Sequence, residues 1–580
     1  MWLSGMVAAL AVVQPPAPRA VPATPEQERA MRQLLDGPLL FVKRHSYTGI
    51  HIYDTFYKWP PGGGGIYIVE NPSAPRDQWR IRPVIDETTP GTLGHGVYTH
   101  PELSWDAKKL LFCFKGEPNG STSIYEINVD GTGLRRVSDP TPTCDRYKGS
   151  QGGQHDIAPA YLPDGRIVFL STRPSGLVPC ANKGVSILHV MNSDGSDIHP
   201  ISVNNVNEFD PSVLPDGRIL FGRWEYVDKN ALTIQSLWTV NPDGTQETAL
   251  FANNMVLPEA ILDARPVPGS HLIVATLAKH NSTPRGTVAF IDPHRGKNGS
   301  QAITNLEYPD DPTFDRGDSC EPWALNDDVV VFSGRPAGQK RNVIEMMDRA
   351  GHRFTLLSDP AICLHSPMLV KPRPVPTVLP DTIDRKATTG RFFVQDIYRG
   401  LPGVKRGDVK WLRVIEETSR VSPTPGGKQP YNQTFLVSAA LAFSVKNYLG
   451  MVPVDEDGSA YFEVPAGRAV YFQALDADRR LVQSMRTFVQ AAPGTTRSCI
   501  GCHENKSDAA VNSGLRPALA RAPSQLRPES WGSGYVDYPS MVQPVLDKYC
   551  VGCHNETRQL DLRGGRPLIG WSTQMAGHWP

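Results

Sequence analysis

Residues 155–173, HDIAPAYLPDGRIVFLSTR, are echoed by residues 208–226, EFDPSVLPDGRILFGRWEY, so that Leu-Pro-Asp-Gly-Arg-Ile occurs at 162–167 and again at 214–219. Each copy leads into a second apolar run and an Asn-x-Asp-Gly turn, ILHVMNSDGSDIHPI after the first and SLWTVNPDGTQETAL after the second. Asp-Gly between apolar runs is a hairpin signal, because the two-residue turn needs positive φ. Four antiparallel strands recurring every 40 to 50 residues or so make the unit of a β-propeller blade. Weaker copies flank the pair: HPELSWDAKKLLFCF with SIYEINVDGTGLRRV before it, then LPEAILDARPVPGSHLIVATL with GTVAFIDPHRG, and EPWALNDDVVVFSG with VIEMMDRAGHRFTLL. A sixth blade is drawn from PLLFVKRHSYTG and GGGGIYIVENP, which would close a ring without free sheet edges. A large β-sandwich is the competing architecture, but it gives no reason for repeated turn strings.

The expected chain is mainly β: a six-bladed β-propeller, with five to seven blades as the range, over 39–365, then a small β-sandwich over 381–495. A proline-rich connector separates them, the stretch HSPMLVKPRPVPTVLPD after Cys363 with its four prolines from Pro372 to Pro380. In the second unit short runs such as RFFVQDIY, VKWLRVIEE, SAYFEVPAG and AVYFQALD alternate with Gly- and Asp-rich turns. Residues 496–535 read as a first cysteine motif plus linker, and 536–580 as a short, mostly helical segment. There Met541, Val542, Val545 and Leu546 fall on one helical face. Gly62 to Gly65 lack the Gly-Lys-Ser/Thr of a phosphate loop and read as a plain loop.

Composition narrows the function. Among 580 residues, 59 Lys and Arg balance 59 Asp and Glu. Without a net positive field, nucleic-acid binding is not expected. The 51 Gly and 53 Pro favour turns over long helices. No apolar run has the length of about 20 residues that a spanning helix needs. Residues 1–23 read as a secretory signal with a small-residue cleavage step at Val21-Pro22-Ala23, although no Lys or Arg precedes the apolar stretch.

Cysteine spacing carries the chemistry. Cys499-Ile-Gly-Cys502-His503 and Cys550-Val-Gly-Cys553-His554 repeat C-x-x-C-H, the attachment pattern of c-type haem. Two thiols at this spacing reach both vinyl groups of one porphyrin, and the adjacent His is placed to ligate iron. Two covalent haem c groups are therefore expected, with His503 and His554 as iron ligands and export to the periplasm, where such attachment takes place. A thioredoxin-like pair lacks its βαβ context, a joint zinc site would span an unusually wide gap, and paired disulfides would leave both His residues unexplained. Met575 and His578 are distal-ligand candidates for the second haem. Five further cysteines, Cys113, Cys144, Cys180, Cys320 and Cys363, are an odd number, and Cys144 with Cys180 is a conceivable pair.

A further set is expected at one mouth of the propeller channel, just ahead of the blades' first strands: His100, His155, Asp156, Asp210, Cys320 and Glu321. Such a set suits zinc or a small-molecule substrate, while bonds to strand-end amides are the plainer reading.

The blade strings, GGGGIYIVENP at 62–72, RSCIGCHE at 497–504 and VQPVLDKYCVGCHN at 542–555 together resemble hydrazine synthase alpha-subunit-like multihaem proteins, the last string being similar to planctomycete-type cytochrome c modules. The resemblance implies an exported redox protein with a propeller, a middle β domain and c-type haems, the first lying between propeller and middle domain. It also implies other haem subunits or a redox protein as partners, and a small, nitrogenous molecule as substrate. In that family a Tyr four residues beyond the motif His ligates the active iron; here Ser507 stands at that position, and only 26 residues follow His554, as in a truncated cytochrome c segment. The rival function is a propeller scaffold that binds a protein or glycan, with ancillary haems.

Overall fold

The computed structural model describes residues 21–47, 59–140, 154–174, 176–178, 183–227, 234–419, 446–503, 514–558, 560–564, 567–568 and 577–578. Six antiparallel four-stranded meanders form the first unit. Their innermost strands are Cys363–Leu369 in blade 1, Val97–Leu103 in blade 2, Asp156–Tyr161 in blade 3, Glu208–Val213 in blade 4, Ala260–Pro266 in blade 5 and Ser319–Ala324 in blade 6. Inner strands of consecutive blades pack side by side from blade 2 round to blade 1. The ring is closed by antiparallel pairing of Cys363–Leu369 with Leu39–Arg44, in the register Leu39↔Leu369 and Arg44↔Cys363. Six blades are thus present, and the repeated Leu-Pro-Asp-Gly-Arg strings are the turns between first and second strands. Gly165 and Gly217 both take φ 89°, and the Asp164 and Asp216 side chains accept the amides of Arg166 and Arg218.

Two boundaries shift from their expected places. The closing strand runs to Leu369, so HSPML, read as the start of a connector, is blade structure; its prolines masked the strand. Val21–Pro22 pairs parallel with His352–Leu357 at the outer edge of blade 6, so a cut after Ala23 would remove a strand from that sheet. The helix Pro25–Gln33 follows, with Thr24 and Gln27 forming a reciprocal capping box.

The connector crosses the face of the propeller that carries the Asp-Gly turns. Arg373 N bonds to Trp105 O, Thr377 N to Pro215 O and Thr382 N to Asp243, and Asp381 accepts both terminal nitrogens of Arg166.

The second unit is a two-sheet sandwich, one of three strands and one of five. Phe392, Phe462 and Phe472 interlock in its core, with ring centroids 5.0–5.9 Å apart. Thr496–Cys499 pairs parallel with Thr389–Val394, so the first cysteine motif begins inside this domain. The segment read as a linker also returns onto the domain: Arg527 bridges to Met451, Ser524 to Phe462, and Gly534–Tyr535 pairs with Lys446–Pro453. The expected helix is present as Gln543–Tyr549, but none of its side chains is buried, so its apolar face is not covered by the described residues. No described helix is long and apolar enough to cross a membrane.

Candidate functional site

Every inner strand carries a bulge at the same place, and each bulge holds a residue in the left-handed region: His100 (φ 48°), Ala158 (50°), Asp210 (43°), Asp263 (53°), Glu321 (54°) and Ser366 (48°). Proline follows in five of the six, which suits a break in the ladder because Pro has no amide to donate. The left-handed turn brings these six residues together around the central channel, where they line a cavity of about 100 Å³ with Arg44 and Tyr47. That is room for a few waters or one small molecule.

Hydrogen bonds run round part of this ring from blade to blade. Asp210 Oδ2 accepts the Asp263 amide at 3.0 Å, Asp263 Oδ2 accepts the Glu321 amide at 2.9 Å, and Glu321 Oε2 accepts the Ser366 amide at 2.8 Å. The plainer expectation for Asp210 and Glu321, bonding to backbone, therefore describes them well. Glu321 also accepts from Arg44 at 3.0 Å and lies 3.0 Å from His365 Nδ1. Burial alone would raise its pKa, but His365 and Arg44 hold the Glu321 carboxyl far below the usual range. Asp263 is pushed the other way, by burial and then by the charges of Asp210 and Glu321. Burial, with Arg44 nearby, lowers His100 to about 4, so a neutral imidazole faces the channel. The opposite end is plugged: Arg373 reaches up from the connector to Glu102 Oε1 at 2.8 Å and lies over the rings of Trp105 and Trp323.

Of the six residues expected here, His100, Asp210 and Glu321 line the cavity, from within the strands rather than ahead of them. Cys320 stands one residue outside the ring. His155 and Asp156 do not line it: blade 3 presents Ala158 at the ring position. His155 Nδ1 accepts the Thr122 amide, and Asp156 takes Ser171 and Arg173 between strands of its own blade. Asp263 and Ser366 were missed. Asp263 lies 53 residues from Asp210, a repeat spacing that marks it even though Ala264 replaces the proline.

The first cysteine motif lies where the two domains meet. Cys499 and Cys502 pack against the sandwich core, and His503 is exposed. The carbonyl of Arg399 accepts the amides of Cys502 (3.1 Å) and His503 (3.4 Å), while Gly501 passes so close to Asp396 and Arg399 that a side chain there would clash. Two residues upstream of Cys499, Arg497 donates to Glu247 O on blade 4. Nearby, Arg223 is fully buried, ion-paired with Glu247 at 2.7 Å and stacked on Trp238 and Phe488.

The second motif caps Gln543–Tyr549, with the amides of Cys553 and His554 both bonded to Cys550 O. Cys553 and His554 are exposed, and Val545 (53%) and Tyr549 (71%) stand open beside them. No disulfide joins the cysteines within either motif. Cys144, Cys180, Ser507 and Met575 lie outside the described residues.

Residues 407–504 match the family model described as the hydrazine synthase alpha subunit middle domain. Hydrazine synthase subunit alpha of Kuenenia stuttgartiensis is 23% identical over 493 residues, 70% of this chain and 59% of the relative, so the match spans less than two thirds of that protein. The solved Kuenenia stuttgartiensis hydrazine synthase superposes with a TM-score of 0.74 at 17% identity, covering 96% of this chain and 87% of the other. The chain thus shares the fold of that solved structure and carries a stretch similar in sequence to the hydrazine synthase alpha middle domain, which makes it similar to the hydrazine synthase alpha subunit.

Proposed function

We propose that this chain is an exported di-haem c-type redox protein that transfers electrons to or from a small, nitrogenous molecule in concert with other haem-bearing subunits. The observation that carries the reading is the presentation of both C-x-x-C-H motifs: thiols separated by two residues and not joined by disulfides, each pair followed by an exposed His. This donor set fits covalent haem. The bare apolar side chains of Val545 and Tyr549 are what a bound macrocycle would cover. When bound, such a group supplies one-electron chemistry and, where its sixth position is open, a place for a small ligand.

The protein's own part is positioning. Cys499 and Cys502 would tether the first group, with Cys502 and His503 held by the Arg399 carbonyl and the approach set by Gly501. Arg497 locks this motif to blade 4 through Glu247 O, fixing its distance from the propeller. Cys550, Cys553 and His554 would hold the second group on the outer surface, where a partner can reach it.

Spectra of the dithionite-reduced, secreted protein with and without carbon monoxide test the reading. We expect c-type absorption, at least part of which shifts on adding carbon monoxide, as it does where the sixth position of an iron is open. Absence of haem absorption would overturn the assignment, and a spectrum wholly indifferent to carbon monoxide would overturn ligand chemistry at iron.

A further inference from the structure

Blades 6 and 1 meet where the chain closes the ring, and only there does the position before the left-handed residue carry metal-binding side chains. In blades 2 to 5 that position is Thr99, Ile157, Phe209 or Leu262; in blade 6 it is Cys320 and in blade 1 His365. Neighbouring residues of a strand normally point to opposite faces. The left-handed turn at Glu321 breaks that alternation, so the Cys320 sulfur, a Glu321 carboxylate oxygen and a His365 ring nitrogen all lie within 4.8 Å of one another. Cys320 and His365 are each 3% exposed. Around the cluster the Ser333 hydroxyl lies 3.4 Å from His365 Nδ1, and Asn342 donates to Cys320 Sγ at 3.9 Å.

We propose that Cys320, Glu321 and His365 bind a zinc-class divalent ion at the closing seam of the propeller. Thiolate, imidazole and carboxylate together are a donor set that such an ion prefers over calcium or magnesium. One thiolate and one carboxylate offset its two charges, and His365 adds a neutral nitrogen. Binding replaces the His365–Glu321 hydrogen bond and releases the Cys320 proton to solvent. Arg44 keeps its bond to the other Glu321 oxygen and holds the carboxylate in place. The ion would tie the inner strand of blade 6 to that of blade 1, adding a staple to the ring's closure. This proposal does not depend on the haem reading.

The test uses the full-length secreted protein, loaded with zinc sulfate and then washed with a chelator of moderate strength. Zinc is counted by mass spectrometry, its neighbours are read by zinc-edge X-ray absorption, and thermal unfolding is followed with and without zinc. We expect about one retained zinc with a single sulfur neighbour at about 2.3 Å, and a higher melting temperature with the metal. Cys320→Ser and His365→Gln should each lower retained zinc by at least about tenfold. Cys113→Ser should leave it unchanged, since that sulfur lies against Asp156 O between blades 2 and 3. A wild-type protein that keeps no zinc overturns the proposal even if the variants fail to fold. So does zinc without a sulfur neighbour, the signature expected of the surface cluster His271, Asp292 and His294. Zinc with two or more sulfur neighbours that survives Cys320→Ser would place the metal on the C-x-x-C-H motifs and overturn it as well.

Discussion

Ala158 and Asp263 occupy equivalent left-handed positions in the ring, at φ 50° and 53°, but only Asp263 has a side chain that bonds to its neighbours. Its Oδ2 accepts both the Glu321 amide and the Thr276 hydroxyl. The same substitution should therefore act in opposite directions at the two sites. Ala158→Gly relieves a left-handed alanine and should raise stability by up to about 1 kcal/mol. Asp263→Gly leaves two buried donors unmet and should lower it by about 1–3 kcal/mol. Equilibrium urea unfolding of both variants checks the contrast; a loss at both sites would mean that the backbone strain is illusory.

Glu208, at the start of the blade 4 inner strand, gives a pH prediction. Burial, followed by the charge of Glu247, pushes it from 4.5 up to about 7. Ser202 and the Leu188 amide both bond Oε2, while Oε1 has no hydrogen-bond partner among the described residues. The folded protein keeps this proton up to about pH 7, whereas the unfolded chain releases it near 4.5. Its contribution is thus fully present below about pH 4.5 and is lost as pH rises through 7, a change of about 3 kcal/mol. Urea midpoints measured from pH 4.5 to 8 should show wild type falling relative to Glu208→Gln across that window. Parallel curves would contradict the shift.

The inner strand is the element on which the ring depends, and the sequence disclosed it unevenly. The two Leu-Pro-Asp-Gly-Arg-Ile strings marked blades 3 and 4 because turn chemistry is local and needs only Gly and Asp at fixed positions. The closing strand was hidden because Pro367 and the prolines after it look like a connector, although Ser366-Pro367 repeats the Glu321-Pro322 and Asp210-Pro211 pattern. His155 and Asp156 were placed in the channel because the bulge, which decides which residue turns inward, is a property of paired strands rather than of one. The connector is more than a spacer. Arg373 gives Glu102 one of its two guanidinium partners, the other being Arg265 at 2.6 Å. Arg373→Ala should cost about 1–3 kcal/mol, since Glu102 keeps one partner and Arg373 is partly solvated. Denaturant midpoints would read this, and an unchanged midpoint would mean that the plug contributes nothing.

At the scale of the molecule, propeller and sandwich share a buried seam. Arg223 from blade 4 lies against the Phe488 ring and carbonyl, Gln490 donates to Ile201 O, and Val227 packs with Ala469 and Phe488. Such contacts should make the two domains unfold together. Phe488→Ala removes the shared ring and strips Arg223 of one stacking partner, at a cost of about 3–5 kcal/mol. Calorimetry should then resolve two transitions in place of one; a single transition at an unshifted temperature would show that the seam does not couple them. These contacts were not legible beforehand, because the seam joins residues more than 240 positions apart. The cysteine motifs stand out by spacing alone, and the family resemblance already implied that the first lies between propeller and middle domain; the exposure of the second on the outer surface was not foreseen.

The account turns on what the two motifs carry. Intact and peptide mass spectrometry of the protein secreted by a host that matures c-type cytochromes measures this directly. The account predicts an intact mass raised by two haems, with one on the peptide containing Cys499 to His503 and one on that containing Cys550 to His554. Unmodified thiols on both peptides would contradict it.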